Sequence, residues 1–95
     1  MDRFEEIRVG EKAEITHHIT EDDLQRFVSL TGDYNPLHMN DSYAEKTTFK
    51  KRVVHGMLTA SFISTIIGTK LPGKGALWFS QNLKFLLPAR IGDTI

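Results

Sequence analysis

The chain has 95 residues, 40% hydrophobic and 25% charged, which is the size and composition of one globular domain. Twelve basic residues balance twelve acidic ones, so charge gives no reason to expect nucleic acid or an anionic membrane as the main partner. The absence of cysteine excludes disulfides, cysteine-ligated zinc and thiol catalysis. The N-terminal residues lack the apolar core of a signal peptide, and no apolar stretch is long enough to span a bilayer. A soluble cytoplasmic protein is therefore expected.

The first predicted element is a strand. Residues 12–19, "KAEITHHI", alternate between apolar and polar side chains, a period typical of a half-buried strand. His17 and His18 then point to opposite faces and cannot jointly bind a metal. His17 is expected to be partly buried, and His18 to lie at the surface.

A helix is predicted next. Thr20 can cap it, Asp23 stands at the capping-box position, and Gly32 is a suitable C-terminal stop. The side chains predicted to face inward are Leu24, Phe27, Val28 and Thr31. Asp33 therefore follows directly after a helix end.

The segment "GDYNPLH" (32–38) is predicted to be a stiff turn. Pro36 fixes its own φ and restricts Asn35 to extended backbone. Such a turn can hold the carboxylate of Asp33 and the imidazole of His38 in a fixed relation, and the pair could orient a water molecule for proton transfer. The alternative is an Asx-type turn with a solvent-exposed histidine.

A short helix over 42–46 and a loop are expected before the next motif. The loop segment "FKKRVVH" (49–55) carries Lys50, Lys51 and Arg52. These are either solvated turn charges or a grip on a phosphate-bearing ligand.

A long helix is predicted from Gly56 to Gly68, because its length and the glycine stop outweigh its β-branched content. Large apolar residues lie around most of the axis, so the helix should be buried on nearly every side; they are Met57, Leu58, Phe62, Ile63, Ile66 and Ile67. The small residues Gly56, Ala60, Ser64 and Gly68 are spaced by four and form a ridge that lets another backbone approach closely. Gly56 is needed either for close packing or to offer its amide to an oxyanion.

A second strand is predicted over 76–87, "ALWFSQNLKFLL", after the turn "LPGKG". Residues 89–95 look like a turn that enters a further strand. Two strands do not form a stable sheet and cannot cover the predicted long helix. We therefore expect one domain over residues 1–95 that is truncated at its C-terminus, or whose missing strands are replaced by assembly.

Several of these motifs together carry a family pattern. Residues 27–58, "FVSLTGDYNPLHMNDSYAEKTTFKKRVVHGML", resemble the signature of the MaoC-like, or hydratase-2, family, whose members include the (R)-specific enoyl-CoA hydratases. The Gly-Asp-x-Asn-Pro-Leu-His core matches without a gap, and "HGML" follows at the expected distance. "LPGKG" and "FLLPARIGD" are also similar, so the resemblance covers roughly residues 18–95.

The resemblance implies an α+β hot-dog fold, in which a curved antiparallel sheet wraps a long central helix, usually in a dimer. It implies syn addition of water to a trans-2-enoyl-CoA to give the (R)-3-hydroxyacyl-CoA, or the reverse dehydration, a lyase reaction of fatty acid metabolism. Asp33 and His38 would activate water and protonate C2, and the amide of Gly56 would bind the thioester carbonyl. Asn35 would support the turn, and Ser64 would lie near the carboxylate. No metal or redox cofactor is implied.

One departure from the family leaves alternatives open. The family's domain continues for some forty residues that form the remaining strands, so the C-terminal part of the sheet is absent here. The chain could therefore be a catalytic hydratase, a non-catalytic module that binds acyl-CoA or acyl-carrier protein, or a fragment without activity alone. The sequence does not fix the acyl-chain length, the carrier, the pathway or the oligomeric state.

Overall fold

The computed structural model describes residues 4–95, and the chain divides into two compact units. One unit, called the site unit, contains residues 16–59 and 85–95. The other contains residues 4–15 and 60–84 among those described. The predicted functional residues other than Ser64 all lie in the site unit.

Helix α1 spans Glu21–Thr31 and confirms the predicted caps. The side chain of Thr20 accepts a hydrogen bond from the amide of Asp23, and the Asp23 carboxylate accepts one from the amide of Thr20. Gly32 ends the helix with φ of 78°, a left-handed conformation that glycine adopts without steric cost. The predicted inward stripe holds at Leu24 and Val28, whereas Thr31 is exposed, so its inclusion was wrong.

Two short helical turns follow α1. Helix α2 spans Pro36–Met39, where the sequence predicts only a turn, and helix α3 spans Asp41–Glu45, close to the predicted 42–46. Side chains of Asn35 and Asn40 accept hydrogen bonds from amides in the first turns of α2 and α3 respectively.

Helix α4 spans Gly56–Thr69 and confirms the predicted long helix. Its predicted burial on nearly every side is wrong for this chain: Met57 is 56% exposed and Ile63 39%. Leu58 is buried, but none of the other five large apolar residues is. The described residues form no sheet that could cover these side chains.

Neither predicted strand forms as a strand within residues 4–95. The only pairing at residues 12–19 is an antiparallel bridge between His18 and Thr94, flanked by reciprocal bonds of 2.9 Å between the backbones of His17 and Ile95. Residues 76–86 have no assigned helix or strand, and Leu77 and Phe79 are 90% and 96% exposed. A strand depends on a neighbour, and the described part of the chain offers these residues none.

The core of the site unit is small and apolar. Its buried hydrophobic residues are Ile19, Leu24, Val28, Ala44, Val54 and Leu58. Ile19 and Leu24 are the largest side chains that are fully buried. Since α1 and the segment that leads into α4 both contribute to this core, it fixes the backbone on which the candidate site is built.

In the other unit, residues 71–75 form the predicted turn. The amides of Leu71 and Gly73 donate to the carbonyls of Ile66 and Ile67, at 2.8 and 2.9 Å, and so end α4. Gly73 and Gly75 have positive φ, as this turn requires. A 3₁₀ turn spans Phe4–Glu6.

Candidate active site

Hydrogen bonds through its own side chains order the turn between α1 and α2. The carboxylate of Asp33 accepts from the amide of Asn35 at 3.3 Å, and the side-chain oxygen of Asn35 accepts from the amide of Leu37 at 3.0 Å. The carbonyl of Asn35 accepts from the amide of His38 at 2.9 Å. The backbone is therefore the Asx-type turn that the sequence offered as one alternative. Asn35 lies where the resemblance predicts a supporting residue.

The structure brings the side chains of Asp33 and His38 together. A carboxylate oxygen of Asp33 and a ring nitrogen of His38 lie within 4.8 Å of each other, and a ring nitrogen of His55 lies within 4.8 Å of both. No direct hydrogen bond joins the Asp33 and His38 side chains, and a single water molecule can bridge a gap of this size. Asp33 is exposed and His38 half-buried, so solvent reaches the pair.

The ring of His38 has a fixed orientation. Its Nδ1 lies 2.6 Å from the carbonyl oxygen of Val53, and a carbonyl oxygen only accepts, so Nδ1 carries the proton and donates it. Nε2 of the neutral ring is then an acceptor with a free lone pair. The amide of Val53 in turn donates to the carbonyl of Leu37 at 3.2 Å, which ties the segment before α4 to helix α2.

Arg52 joins this site to the start of α1. Its Nε donates to the carbonyl of His38 at 2.6 Å, and its two terminal nitrogens donate to the two carboxylate oxygens of Glu21, each at 2.7 Å. The hydrogen bonds from Arg52 hold the pKa of Glu21 below its ordinary value, and Glu21 raises the pKa of Arg52. Arg52 is 9% exposed, so it is a buried structural arginine.

This finding corrects the predicted cationic patch. Arg52 is not available to a phosphate, because its guanidinium is already occupied by Glu21 and His38. Lys50 and Lys51 are exposed, and the other charged residues that line the same open cavity are Arg52, Arg90, Asp41 and Glu45. Arg90 is engaged there by the backbone carbonyls of Phe49, Lys51 and Arg52. With both signs of charge, this surface does not single out an anionic ligand.

His55 is the residue of the site that the sequence analysis did not assign. It is 2% exposed, and its Nε2 donates to the carbonyl of Asp33 at 3.1 Å. Its ring lies 4.0 Å from that of His38 and 4.7 Å from that of Phe27, measured between centroids. Burial lowers the pKa of His55, partly offset by the hydrogen bond to Asp33. The signal in the sequence was a histidine inside the apolar run "VVHGML".

Gly56 and His38 line one cavity of about 320 Å³ in the site unit. Most of its wall is apolar; the apolar lining residues are Phe49, Val53, Val54, Phe85, Leu86, Leu87, Pro88 and Ala89. Gly56 is the first residue of α4, so its amide has no acceptor within the helix and lies at the positive end of the helix dipole. The cavity thus combines an imidazole, a helix N-terminal amide and an apolar wall.

Close packing also favours a glycine at position 56. A Cβ there would lie 3.0 Å from the ring of Phe85, which is tighter than nine in ten real Cβ contacts, so the ring would have to shift by a few tenths of an ångström. Both interpretations offered by the sequence therefore remain open for Gly56, and they are compatible. Ser64 is an exposed residue of α4 in the other unit, and its predicted role stays a prediction.

The two histidines of the sequence-predicted strand lie as expected. His17 is partly buried and bonds Asp23 through Nε2 at 2.7 Å, which lowers the pKa of the Asp23 carboxyl. His18 is exposed and lies 3.3 Å from the hydroxyl of Thr94.

Asp33, His38 and His55 each offer one atom that could bind a metal ion, all within 4.8 Å of one another. Hydrogen bonds to carbonyls already engage Nδ1 of His38 and Nε2 of His55, which leaves one lone-pair nitrogen on each ring. The family resemblance implies no metal, and proton transfer between a carboxylate and an imidazole needs none.

Residues 5–95 match the profile of the family described as "MaoC like domain". The chain is 50% identical over 92 residues to the (R)-specific enoyl-CoA hydratase of Rhodospirillum rubrum, covering 97% of this chain and 64% of that protein. It is 42% identical to the 3-hydroxybutyryl-CoA dehydratase of Methylorubrum extorquens, covering 97% and 59%. Among solved structures, the unliganded R-hydratase PhaJ1 from Pseudomonas aeruginosa superposes with a TM-score of 0.88 at 46% identity, covering 96% and 59%.

The chain therefore belongs to the MaoC-like domain family, as its sequence predicts. Its structural neighbours are (R)-hydratases of the hot-dog fold, and it superposes on one of them over 96% of its length, although the described residues themselves form no sheet. It spans about 59–64% of the length of these curated relatives. Within the described residues, no helix has the length and apolar character needed to cross a membrane.

Proposed function

We propose that the protein catalyses the (R)-specific hydration of trans-2-enoyl-CoA to (R)-3-hydroxyacyl-CoA, or the reverse dehydration. The observation that carries the proposal is the Asp33–His38 pair, in which a carboxylate oxygen and a ring nitrogen lie within 4.8 Å of each other. His38 also lines the cavity, together with Gly56, the first residue of α4. The names of the relatives, which are hydratases and dehydratases of acyl-CoA, support the same reaction class.

The geometry suggests how the residues divide the work. A water molecule between the Asp33 carboxylate and Nε2 of His38 would lose a proton to the pair as its oxygen bonds C3 of the substrate. The pair would then return a proton to C2 on the same face, which gives syn addition. Negative charge develops on the thioester oxygen between these steps, and the amide of Gly56 would stabilise it.

The apolar wall of the cavity suits the acyl chain. Val53, Val54 and Leu86 are among its lining residues, and burial of a CH₂ group is worth roughly 0.8 kcal/mol. Ser64 is proposed to support the carboxylate, as the family resemblance implies.

A homodimer or a higher oligomer is the proposed assembly. The segment 85–87 in the site unit and Leu77 and Phe79 in the other unit expose apolar side chains without ladder partners, which favours pairing with another strand. Size-exclusion chromatography with light scattering on the full-length gene product tests this, since a monomeric mass would contradict it.

The function is tested by assaying crotonyl-CoA hydration by the full-length gene product and its Asp33→Asn variant. We expect turnover by the parent and its loss in the variant. If both proteins bind acyl-CoA equally and neither hydrates it, the protein is a binding module and the proposal is wrong.

A further inference from the structure

His55 touches both members of the proposed catalytic pair without lining the substrate cavity. Its Nε2 donates to the backbone carbonyl of Asp33 at 3.1 Å. Its ring stacks on that of His38 with a centroid distance of 4.0 Å and an interplanar angle of 30°. It is absent from the cavity lining, which includes His38 and Gly56. Asp33 is absent from that lining as well, so His55 is placed to act on the pair through the main chain of Asp33 and the ring of His38.

The hydrogen bond defines the tautomer of His55. The Asp33 carbonyl only accepts, so Nε2 carries the proton and Nδ1 carries the lone pair. Nδ1 is buried and has no hydrogen-bond partner among residues 4–95. A second proton would therefore be buried without an acceptor, which disfavours the charged ring.

The charged groups around His55 mostly favour the same neutral state. Burial lowers its pKa most and the bond to the Asp33 carbonyl raises it, while electrostatic interaction with protonated His38 and with Arg52 lowers it again. The Asp33 carboxylate acts in the opposite direction. The ring of Phe27, which also contacts the ring of His55, carries no charge. An uncharged ring leaves His38 free to become cationic during turnover without a like charge stacked against it.

We propose that His55 is a positioning residue for the Asp33–His38 pair, in which its Nε2–H fixes the main chain of Asp33 and its uncharged ring supports the ring of His38. The inference rests on the proposed function, since it assumes that this pair does the chemistry. Together with Val53, which holds Nδ1 of His38 at 2.6 Å, His55 fixes the imidazole at one edge and on one face.

Two variants distinguish the contribution of the Nε2–H donor of His55 from that of its aromatic ring. His55→Phe keeps an aromatic ring against Phe27 and His38 but removes the donor. His55→Gln keeps an amide donor of suitable length for the Asp33 carbonyl but removes the ring. His18→Gln, which changes an exposed histidine, is the matched control. All are made in the full-length gene product, with circular dichroism to check folding.

We expect His55→Phe to lower kcat about 10–100-fold with KM within about twofold, because a small misplacement of catalytic groups costs up to about 100-fold. His55→Gln should retain more of kcat than His55→Phe, whereas His18→Gln should match the parent. A folded His55→Phe variant with parental kcat would overturn the proposal. So would a variant whose loss lies in KM alone.

Nitrogen NMR of the parent protein supplies a readout that does not depend on activity. The Nδ1 and Nε2 chemical shifts of His55 should report a neutral Nε2–H tautomer at neutral pH, because burial lowers the pKa of this ring. A Nδ1–H tautomer, or a cationic ring at neutral pH, overturns the proposal even if the enzyme is active. If the tautomer is as expected and His38 signals shift in His55→Phe, but the parent does not hydrate enoyl-CoA, the proposed function fails while the positioning contact stands.

Discussion

The guanidinium of Arg52 donates to the main-chain carbonyl of His38 at 2.6 Å while it grips both carboxylate oxygens of Glu21. This one side chain therefore links the first turn of α1 to the end of α2, where His38 lies. The segment Arg52–His55 fixes the Asp33–His38 turn through hydrogen bonds to Leu37, His38 and Asp33.

The Glu21→Gln variant tests how much the Arg52–Glu21 pair contributes to the free energy of unfolding. Arg52 is buried and its pair is bidentate, so we expect a loss of about 1–3 kcal/mol in the free energy of unfolding, above the 0–1 kcal/mol of an exposed pair. Asp22→Asn is the matched control, since the Asp22–Arg26 pair is exposed on both sides. Both variants remove one negative charge from the first turn of α1, so the helix-dipole effects should nearly cancel. If urea denaturation gave both variants the same loss in the free energy of unfolding, the Arg52–Glu21 pair would be no stronger than an exposed pair and our expectation would be wrong.

Helices α1, α3 and α4 and the turn at Asp33–His38 were predictable from the sequence, because their signals are local. Thr20, Asp23 and Gly32 mark the ends of α1 through bonds between close neighbours. Pro36 and Asn35 likewise define the Asp33–His38 turn within a few residues. These positions needed no knowledge of the rest of the chain.

The strands were not predictable in the same way, and neither were the contacts that Arg52 and His55 make with the site. The alternation at 76–87 indicates that the two faces of the segment differ in polarity, but it does not identify a neighbouring strand. A strand forms only when its backbone hydrogen-bonds to such a neighbour. Arg52 was misassigned because its long side chain turns inward to Glu21, 31 residues away in sequence. His55 was missed because its partner, the Asp33 carbonyl, is 22 residues distant.

Removing either member of the pair should abolish most activity. We expect Asp33→Asn and His38→Gln each to lower kcat for crotonyl-CoA about 10²–10⁴-fold, the usual loss for a general acid–base group. His17→Gln, which alters a partly buried histidine bonded to Asp23, is the control and should retain kcat. Near-parental kcat in either pair variant would show that the catalytic assignment is wrong.

The Gly56→Ala variant distinguishes the packing of residue 56 against Phe85 from hydrogen-bond donation by the amide of residue 56. The added Cβ would meet the Phe85 ring at 3.0 Å, whereas the alanine amide can still donate. We therefore expect a marked loss of kcat/KM in Gly56→Ala and a partial recovery in the double variant with Phe85→Leu. If the double variant recovers nothing, the loss does not arise from contact with Phe85.

The stability of the protein should fall as the pH drops below about 6.5, in part because of His55. Burial lowers its pKa in the folded chain, so the unfolded chain binds more protons between the folded value and the ordinary value near 6.5. The stabilisation is thus fully present above this window and is lost as pH falls through it. His55→Gln should show a weaker decline in the free energy of unfolding between about pH 7.5 and 5.5 than His18→Gln. Parallel declines would contradict a lowered pKa.

The most direct test of the central claim is the stereochemistry of crotonyl-CoA hydration by the full-length gene product, read by chiral chromatography beside the Asp33→Asn variant. Our account predicts the (R)-3-hydroxy product from the parent protein and a loss of about 10²-fold or more in the variant. The (S) product, or a folded parent protein that binds the substrate and adds no water, would contradict it.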